Sequence, residues 1–200
     1  MTDRLPPSPE GIATAAAILR DGGLVAFPTD TVYGVACAAS QPGRLDALFA
    51  LKRRPADRRI PVLVADIGSV PDAWAVDERA RLLAARFWPG ALTMVLPPAS
   101  GGETQAFRAP NHPVALSLIA AAGPLLTTSA NISHEPDTLD ADDVLIAFAT
   151  QADELAAVVD GGRVSGGVPS TVVDLTADPA RLLREGPVPR DAIAGVVAID

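Results

Sequence analysis

Apolar and polar positions along the chain change rhythm repeatedly, and each change marks an element. Residues 10–20 are alanine-rich and end at Gly22-Gly23, which predicts a helix closed by glycine stop signals. Short apolar runs at 24–27 and 32–38 predict strands. Residues 41–51 predict a helix, with Leu45, Leu48 and Phe49 on one face and Pro42 near its start. The run IPVLVA at 60–65 predicts a strand, 77–87 a helix with Asp77 as N-cap, and 91–96 a further strand. An extended segment at 104–109, a helix at 113–122 and a strand at 124–128 follow. A helix at 140–149 and apolar runs at 155–159, 171–175 and 181–183 complete the chain.

This alternation predicts an α/β protein with a twisted, open sheet flanked by helices. Strand spacing is irregular and some connections are too short for crossover helices, so the sheet should be mixed. No fixed-period repeat or long linker divides the sequence. We therefore expect one domain over 1–200, with 1–9 as a loose N-terminal arm and no further C-terminal domain. The glycine-rich stretch DGGRVSGGVPST at 160–171 reads as a flexible loop within that domain, and 160–170 is a candidate lid.

Composition narrows the class. With 48% hydrophobic residues and a mean hydropathy of +0.26, the chain is built to bury a core. The single cysteine, Cys37, cannot form an intramolecular disulfide, so a reducing cytoplasm is the expected setting. MTDRLPPSPE lacks the apolar core of a secretory signal. The longest apolar stretch, 113–126, is interrupted by Ser117, Gly123 and Pro124 and falls short of the roughly 18 residues of a membrane span.

A net charge of −8 argues against a surface built throughout for nucleic acid, but not against a local cationic site. One such segment is KRRPADRR at 52–59, either a solvated charge run or an anion site. It contains Lys52, the only lysine in the protein.

Several chemistries are unsupported. His112 and His134 lie far apart and read as surface-loop histidines, and one cysteine cannot supply zinc-type spacing. There is no Gly-x-Ser-x-Gly elbow, no Gly-x-x-x-x-Gly-Lys phosphate loop and no Gly-x-Gly-x-x-Gly turn. What remains is a set of hydroxyl, amide and cationic residues at strand ends and loops: Thr31, Lys52, Arg54, Thr104, Arg108, Thr127, Ser129, Asn131, Ser170 and Arg184. Strand ends are where ligands sit in open α/β sheets. Arginines there suit carboxylates and phosphates, and hydroxyls fix orientation. Taken singly, the polar residues of LLTTSAN also fit turn formers, and Trp88 in FWPG reads as a core anchor.

In combination, the motifs are specific. FPTDTVYGVA (27–36), LKRRPADRRIPVLV (51–64), FWPGALTMVL (87–96), FRAPNHP (107–113), PLLTTSAN (124–131), PSTVVDL (169–175) and LLREG (182–186) occur in one order along nearly the whole chain. In these the sequence resembles the YrdC/Sua5 family, the L-threonylcarbamoyladenylate synthases. The resemblance implies a twisted α/β sheet with a large concave cleft. It also implies formation of threonylcarbamoyl-AMP and pyrophosphate from L-threonine, bicarbonate or CO2, and ATP with Mg2+, with no tightly held protein metal. The product would pass to a separate transferase complex that modifies tRNA, and a weak contact of this chain with tRNA is left open.

By resemblance Thr31, Arg108, Thr127 and Ser170 face threonine. Lys52, Arg54, Thr104, Ser129, Asn131 and Arg184 face ATP, and Lys52 and Arg54 neutralise phosphate charge during catalysis. Residues 29–34 would bend at the cleft mouth, with Gly34 allowing close backbone approach and Tyr33 either walling the pocket or serving as a structural tyrosine. The chain departs from common family usage at His134, where glycine is usual, at Arg59, where proline is common, and at Leu63, where a longer branch often has histidine. Two other readings compete: a double-stranded RNA-binding module without turnover, and the carbamoyl-transfer domain of hydrogenase maturation proteins, which sits in larger, cysteine-bearing chains.

Overall fold

The computed structural model describes residues 1–53 and 60–200, and the following account concerns those residues. Strands are β1 (Asp3–Leu5), β2 (Leu24–Pro28), β3 (Tyr33–Ala38), β4 (Val62–Leu63), β5 (Leu92–Leu96), β6 (Gln105–Arg108), β7 (Leu125–Ser129), β8 (Leu155–Val159), β9 (Thr171–Asp174) and β10 (Arg181–Arg184). Helices are α1 (Pro9–Arg20), α2 (Leu45–Leu51), α3 (Glu78–Phe87), α4 (Pro113–Ala122), α5 (Ala141–Ala147) and α6 (Arg190–Ala194). All the strands share one sheet, in the order β1-β8-β2-β3-β7-β4-β6-β5-β9-β10. The pairs β1/β8, β2/β8, β4/β6 and β5/β9 are parallel and the rest antiparallel, which makes the mixed sheet expected from the short connections.

Local signals explain most boundaries. Ser8 caps α1 by accepting from Gly11 N at 3.3 Å, Pro9 opens the helix, and the chain leaves it through Gly22 at φ 87°. Asp77 caps α3 as expected, accepting from Ala80 N at 2.9 Å. Three expectations need correction. The segment expected to be a loose arm supplies β1, whose Leu5 carbonyl accepts from Asp160 N at 2.8 Å. The helix expected at 41–51 starts as a 3-10 turn, Pro42–Arg44, before α2. The α6 helix was not foreseen, because its five residues are too few to show a period.

Burial on the two faces of the sheet places the cleft. In β2, Val25 and Phe27 pack under α1 and α4, while Leu24 and Ala26 pack on the opposite face with α2 and α5 residues such as Leu48 and Val144. Both faces of that half are covered, so β2 and β3 read as unbroken apolar runs. The other half differs. Leu92, Met94 and Leu96 of β5, Phe107 of β6 and Val173 of β9 pack against α3 residues Ala80, Leu83 and Ala84, and against Ile193 of α6. The alternate residues, Thr93, Ala106, Arg108 and Val172, turn to the opposite face and line a cavity of about 320 Å³.

Candidate active site

One end of the cavity is built by the PTDT turn between β2 and β3. Thr29 Oγ1 accepts from Thr31 N at 3.2 Å and Val32 N at 3.3 Å, and donates to the Val32 carbonyl at 2.7 Å. The Thr31 hydroxyl lies 3.0 Å from the Thr29 hydroxyl, a contact in which either oxygen can be the donor. Thr31 also accepts from Arg108 Nη1 at 3.0 Å and keeps one lone pair for a ligand. Thr127 donates to the Leu125 carbonyl at 3.1 Å and likewise turns only acceptor capacity to the cavity it lines. Both hydroxyls therefore suit an incoming N–H or O–H donor.

Arg108 lies at the end of β6, only 7% exposed. Nε donates to the Gly90 carbonyl at 3.0 Å and Nη2 donates to Asp30 Oδ1 at 2.6 Å. With Nη1 on Thr31, one N–H remains on each terminal nitrogen. Burial pulls the Arg108 guanidinium below its ordinary value, and the Asp30 charge opposes that shift. Across the cavity Arg184 of β10 donates from Nε to the Ser170 carbonyl at 3.0 Å and from Nη2 to Ser170 Oγ at 3.3 Å. Its guanidinium is lowered by burial and then by the Arg108 charge, with Asp137 acting the other way. Two arginines facing one cavity make a site for an anion.

The structure brings six of the expected residues together along this cavity: Thr31, Arg108, Thr127, Ser129, Ser170 and Arg184. Lys52 and Asn131 stand behind Ser129. The Lys52 ammonium is buried, donating to the Asn131 carbonyl at 2.6 Å, to Asn131 Oδ1 at 3.1 Å and to the Ser129 carbonyl. Ser129 Oγ donates to Asn131 Oδ1 at 2.6 Å, and Asn131 Nδ2 donates to the Glu135 carbonyl at 2.6 Å. The lone lysine thus fastens the Ser129-Ala130-Asn131 bend. Thr104 lies on the segment before β6 and is not among the residues lining the cavity, and Arg54, with Arg59, lies outside the described residues.

Other sequence expectations are refined. Tyr33 does not wall the pocket: it is fully buried, donates to the Gly162 carbonyl at 2.8 Å and accepts from Gly161 N at 3.2 Å, and burial pushes its hydroxyl up to about 12. Gly34 does permit a close approach, with a Cβ there falling 2.9 Å from Thr127 Cγ2. The loop 160–170 is already seated: Gly167 N donates to the Thr31 carbonyl at 2.9 Å, and a Cβ on Gly166 would lie 1.8 Å from that oxygen. His134 holds φ 73°, so the loop keeps the left-handed backbone that glycine favours. His112 is half-buried at the N-cap of α4, which corrects the surface-loop expectation. Trp88 packs against the core group that holds Met94, Phe107 and Val173, and donates to the Leu92 carbonyl at 2.7 Å.

Residues absent from the expected set also line the site, notably Thr29, Thr93, Asp137 and Val172. Thr93 had a readable signal, as the one polar residue in the buried run LTMVL. Cys37 is buried, with its thiol pushed up to about 11 by burial, so it offers no nucleophile. Among the described residues no group of three or more His, Cys, Asp or Glu is placed to hold a metal.

Fold and site together define an open mixed-sheet α/β protein whose half-covered sheet carries an anion-binding cleft walled by hydroxyls. The chain belongs to the Sua5/YciO/YrdC family, whose model, described as "Telomere recombination", matches residues 17–186. It is 39% identical to a threonylcarbamoyl-AMP synthase of Bacillus subtilis, over 98% of this chain and 59% of that protein. It is 36% identical to a putative threonylcarbamoyl-AMP synthase of Mycobacterium tuberculosis, over 95% of this chain and 90% of the relative. The fold superposes on Pyrococcus abyssi Sua5 complexed with L-threonine at a TM-score of 0.89, with 36% identity, all of this chain covered and 62% of that one. The chain thus spans about three fifths of the first and third of these relatives.

Proposed function

We propose that this chain is a threonylcarbamoyl-AMP synthase, acting on L-threonine, bicarbonate or CO2, and ATP. The observation that carries the reading is the polarity of the cavity. Thr31 and Thr127 present acceptors at one end, Arg108 and Arg184 present guanidinium N–H groups across it, and no activated nucleophile stands among them. An amino acid with a hydroxyl, whose carboxylate faces Arg108 and whose amine and hydroxyl face the threonines, satisfies that arrangement.

The chemistry needs positioning more than covalent catalysis. The threonine amine adds to CO2 and gives up one proton to solvent water to form a carbamate, and a carbamate oxygen attacks the α-phosphorus of ATP. The new O–P bond forms as the bond to the β-phosphate oxygen breaks, and pyrophosphate leaves with its electron pair. In this scheme Thr31, Arg108, Thr127 and Ser170 hold threonine. Arg184, Ser129, Asn131, Thr104 and Arg54 serve the nucleotide, and Lys52 acts chiefly through Ser129 and Asn131, to which it is bonded.

Among the described residues that line the cavity only Asp137 is a carboxylate, which suits a magnesium ion carried largely by phosphates and water. The product would go to a separate transferase complex acting on tRNA, in the cytoplasm, and the chain would act as one catalytic domain. An RNA-binding module without turnover is the weaker reading, because it leaves an arginine-lined cleft unused in a chain of net charge −8.

The test is incubation of the protein with ATP, magnesium, bicarbonate and L-threonine, following pyrophosphate release and the adenylate by mass. Threonine-dependent product that falls at least about a hundredfold in Arg108→Ala supports the reading. Folded protein giving no threonine-dependent product overturns it.

A further inference from the structure

A row of side chains crosses the open half of the sheet. In the β5/β6 pair Met94 faces Phe107 and Val95 faces Ala106, so Thr93 lies opposite Arg108. In the β5/β9 pair Thr93 faces Val172, and in the β9/β10 pair Val172 faces Arg184. Thr93 therefore sits between the two guanidinium-bearing strands, on the face that lines the cavity, and is only 4% exposed. Its hydroxyl contacts Ser170 Oγ at 2.8 Å.

Proton counting gives this pair a distinct role. The Thr29, Thr127 and Ser129 hydroxyl protons are engaged, on the Val32 carbonyl, the Leu125 carbonyl and Asn131 Oδ1 respectively, and the Thr31 hydroxyl is in contact with Thr29 Oγ1. Ser170 Oγ already accepts from Arg184 Nη2 at 3.3 Å. Thr93 and Ser170 have two protons between them, and their mutual bond uses one, whichever of them donates. The second is left over on a buried pair beside a cation, where a donor without an acceptor is costly.

We propose that Thr93 is a specificity-determining residue: together with Ser170 it delivers one O–H proton to an anionic oxygen of the ligand, between Arg108 and Arg184. The proposal deepens the synthase reading and rests on it. The oxygen belongs either to the amino acid, as carboxylate or carbamate, or to a phosphate. The chemistry is shared, and the two sources are separable by experiment. Thr93→Val keeps the shape and removes the hydroxyl, so Ser170 keeps its bond from Arg184 but loses its relay partner. Thr93→Ser keeps the hydroxyl.

The experiment titrates the full chain and each variant with L-threonine and, separately, with pyrophosphate, alongside urea unfolding midpoints and steady-state kinetics. In Thr93→Val, apparent affinity for one of the two ligands falls at least about tenfold, the size of one hydrogen bond to a charged group, while the other stays within about threefold. Weakened threonine identifies the amino-acid oxygen, and weakened pyrophosphate identifies the phosphate. Thr93→Ser stays within about threefold of the parent for both ligands.

A folded Thr93→Val that binds both ligands like the parent overturns the proposal and leaves the synthase reading intact. Equal weakening for both ligands with a lowered urea midpoint also overturns it, since that is a packing effect. If Thr93→Val does not fold, Thr93→Ala is read by the same criteria, and failure of Thr93→Ser to retain affinity overturns the role of the hydroxyl. A parent protein that binds neither ligand removes both the synthase reading and this one.

Discussion

Lys52, expected from the sequence to neutralise phosphate charge, also makes structural bonds behind the cleft. Its ammonium meets the Ser129 carbonyl, the Asn131 carbonyl and Asn131 Oδ1, so Lys52→Ala takes a bond from each of these acceptors, of which Asn131 Oδ1 keeps the one from Ser129 Oγ. At about 1–3 kcal/mol for an unsatisfied buried group, the variant should lose at least about 2 kcal/mol of stability, seen as a lower urea midpoint. A midpoint unchanged in Lys52→Ala would return the lysine to a direct role at the ligand. His112 carries a pH dependence. Burial lowers its pKa below the ordinary 6.5, with Asp30 opposing. Below 6.5 the unfolded chain takes up a proton that the folded chain resists, so stability present above that pH is lost as pH falls through the window beneath it. Thermal midpoints measured from pH 7.5 down to about 5.5 should fall further for the parent than for His112→Gln; parallel curves would exclude the histidine as the source.

At the scale of elements, the glycine-rich loop and the PTDT turn form one joint. Gly167 N donates to the Thr31 carbonyl, and Gly166 packs so closely on that oxygen that any side chain must displace the loop. Gly166→Ala should therefore raise the KM for threonine at least about tenfold and speed proteolysis within 163–169, with little change in global stability. Unaltered KM with unaltered protection would mean that the loop and Thr31 are not coupled in solution. Sequence patterning found this loop and its glycines, and it found α1, α3, α4 and β8 nearly residue for residue, because those elements carry caps, glycine stops or long apolar runs. It missed β1 and α6, which are three and five residues long and owe their form to neighbours rather than to any period of their own.

Over the whole molecule, the cleft exists because the sheet is unevenly covered. Helices pack both faces of the β1-to-β3 side, whereas α3 and α6 cover one face of the β6-to-β10 side and leave the other for Thr93, Arg108, Val172 and Arg184. The N-terminal strand ties into this arrangement through Leu5 and through Arg4, whose guanidinium donates to Asp160 at 2.7 Å and Asp142 at 2.7 Å. Deleting residues 1–7 should cost about 1–2 kcal/mol and raise amide exchange across 160–162, measured by hydrogen-exchange mass spectrometry. Exchange there indistinguishable from the parent would show that the strand does not brace the loop.

The fold class, the alternation of elements, the mixed character of the sheet and the family were all legible before folding, since each is written in apolar periodicity, turn residues and ordered motifs. The sequence also named six residues that meet in one cavity. It took the folded chain to show that Lys52 bonds to Ser129 and Asn131, that Tyr33 is a core residue and that Thr93 lies between the strands that carry Arg108 and Arg184. Burial, hydrogen-bond direction and cross-strand register arise between segments distant in the chain. Thr93 and Ser170 are 77 positions apart, as are Thr31 and Arg108, and no local pattern records which hydroxyl has a proton left to give.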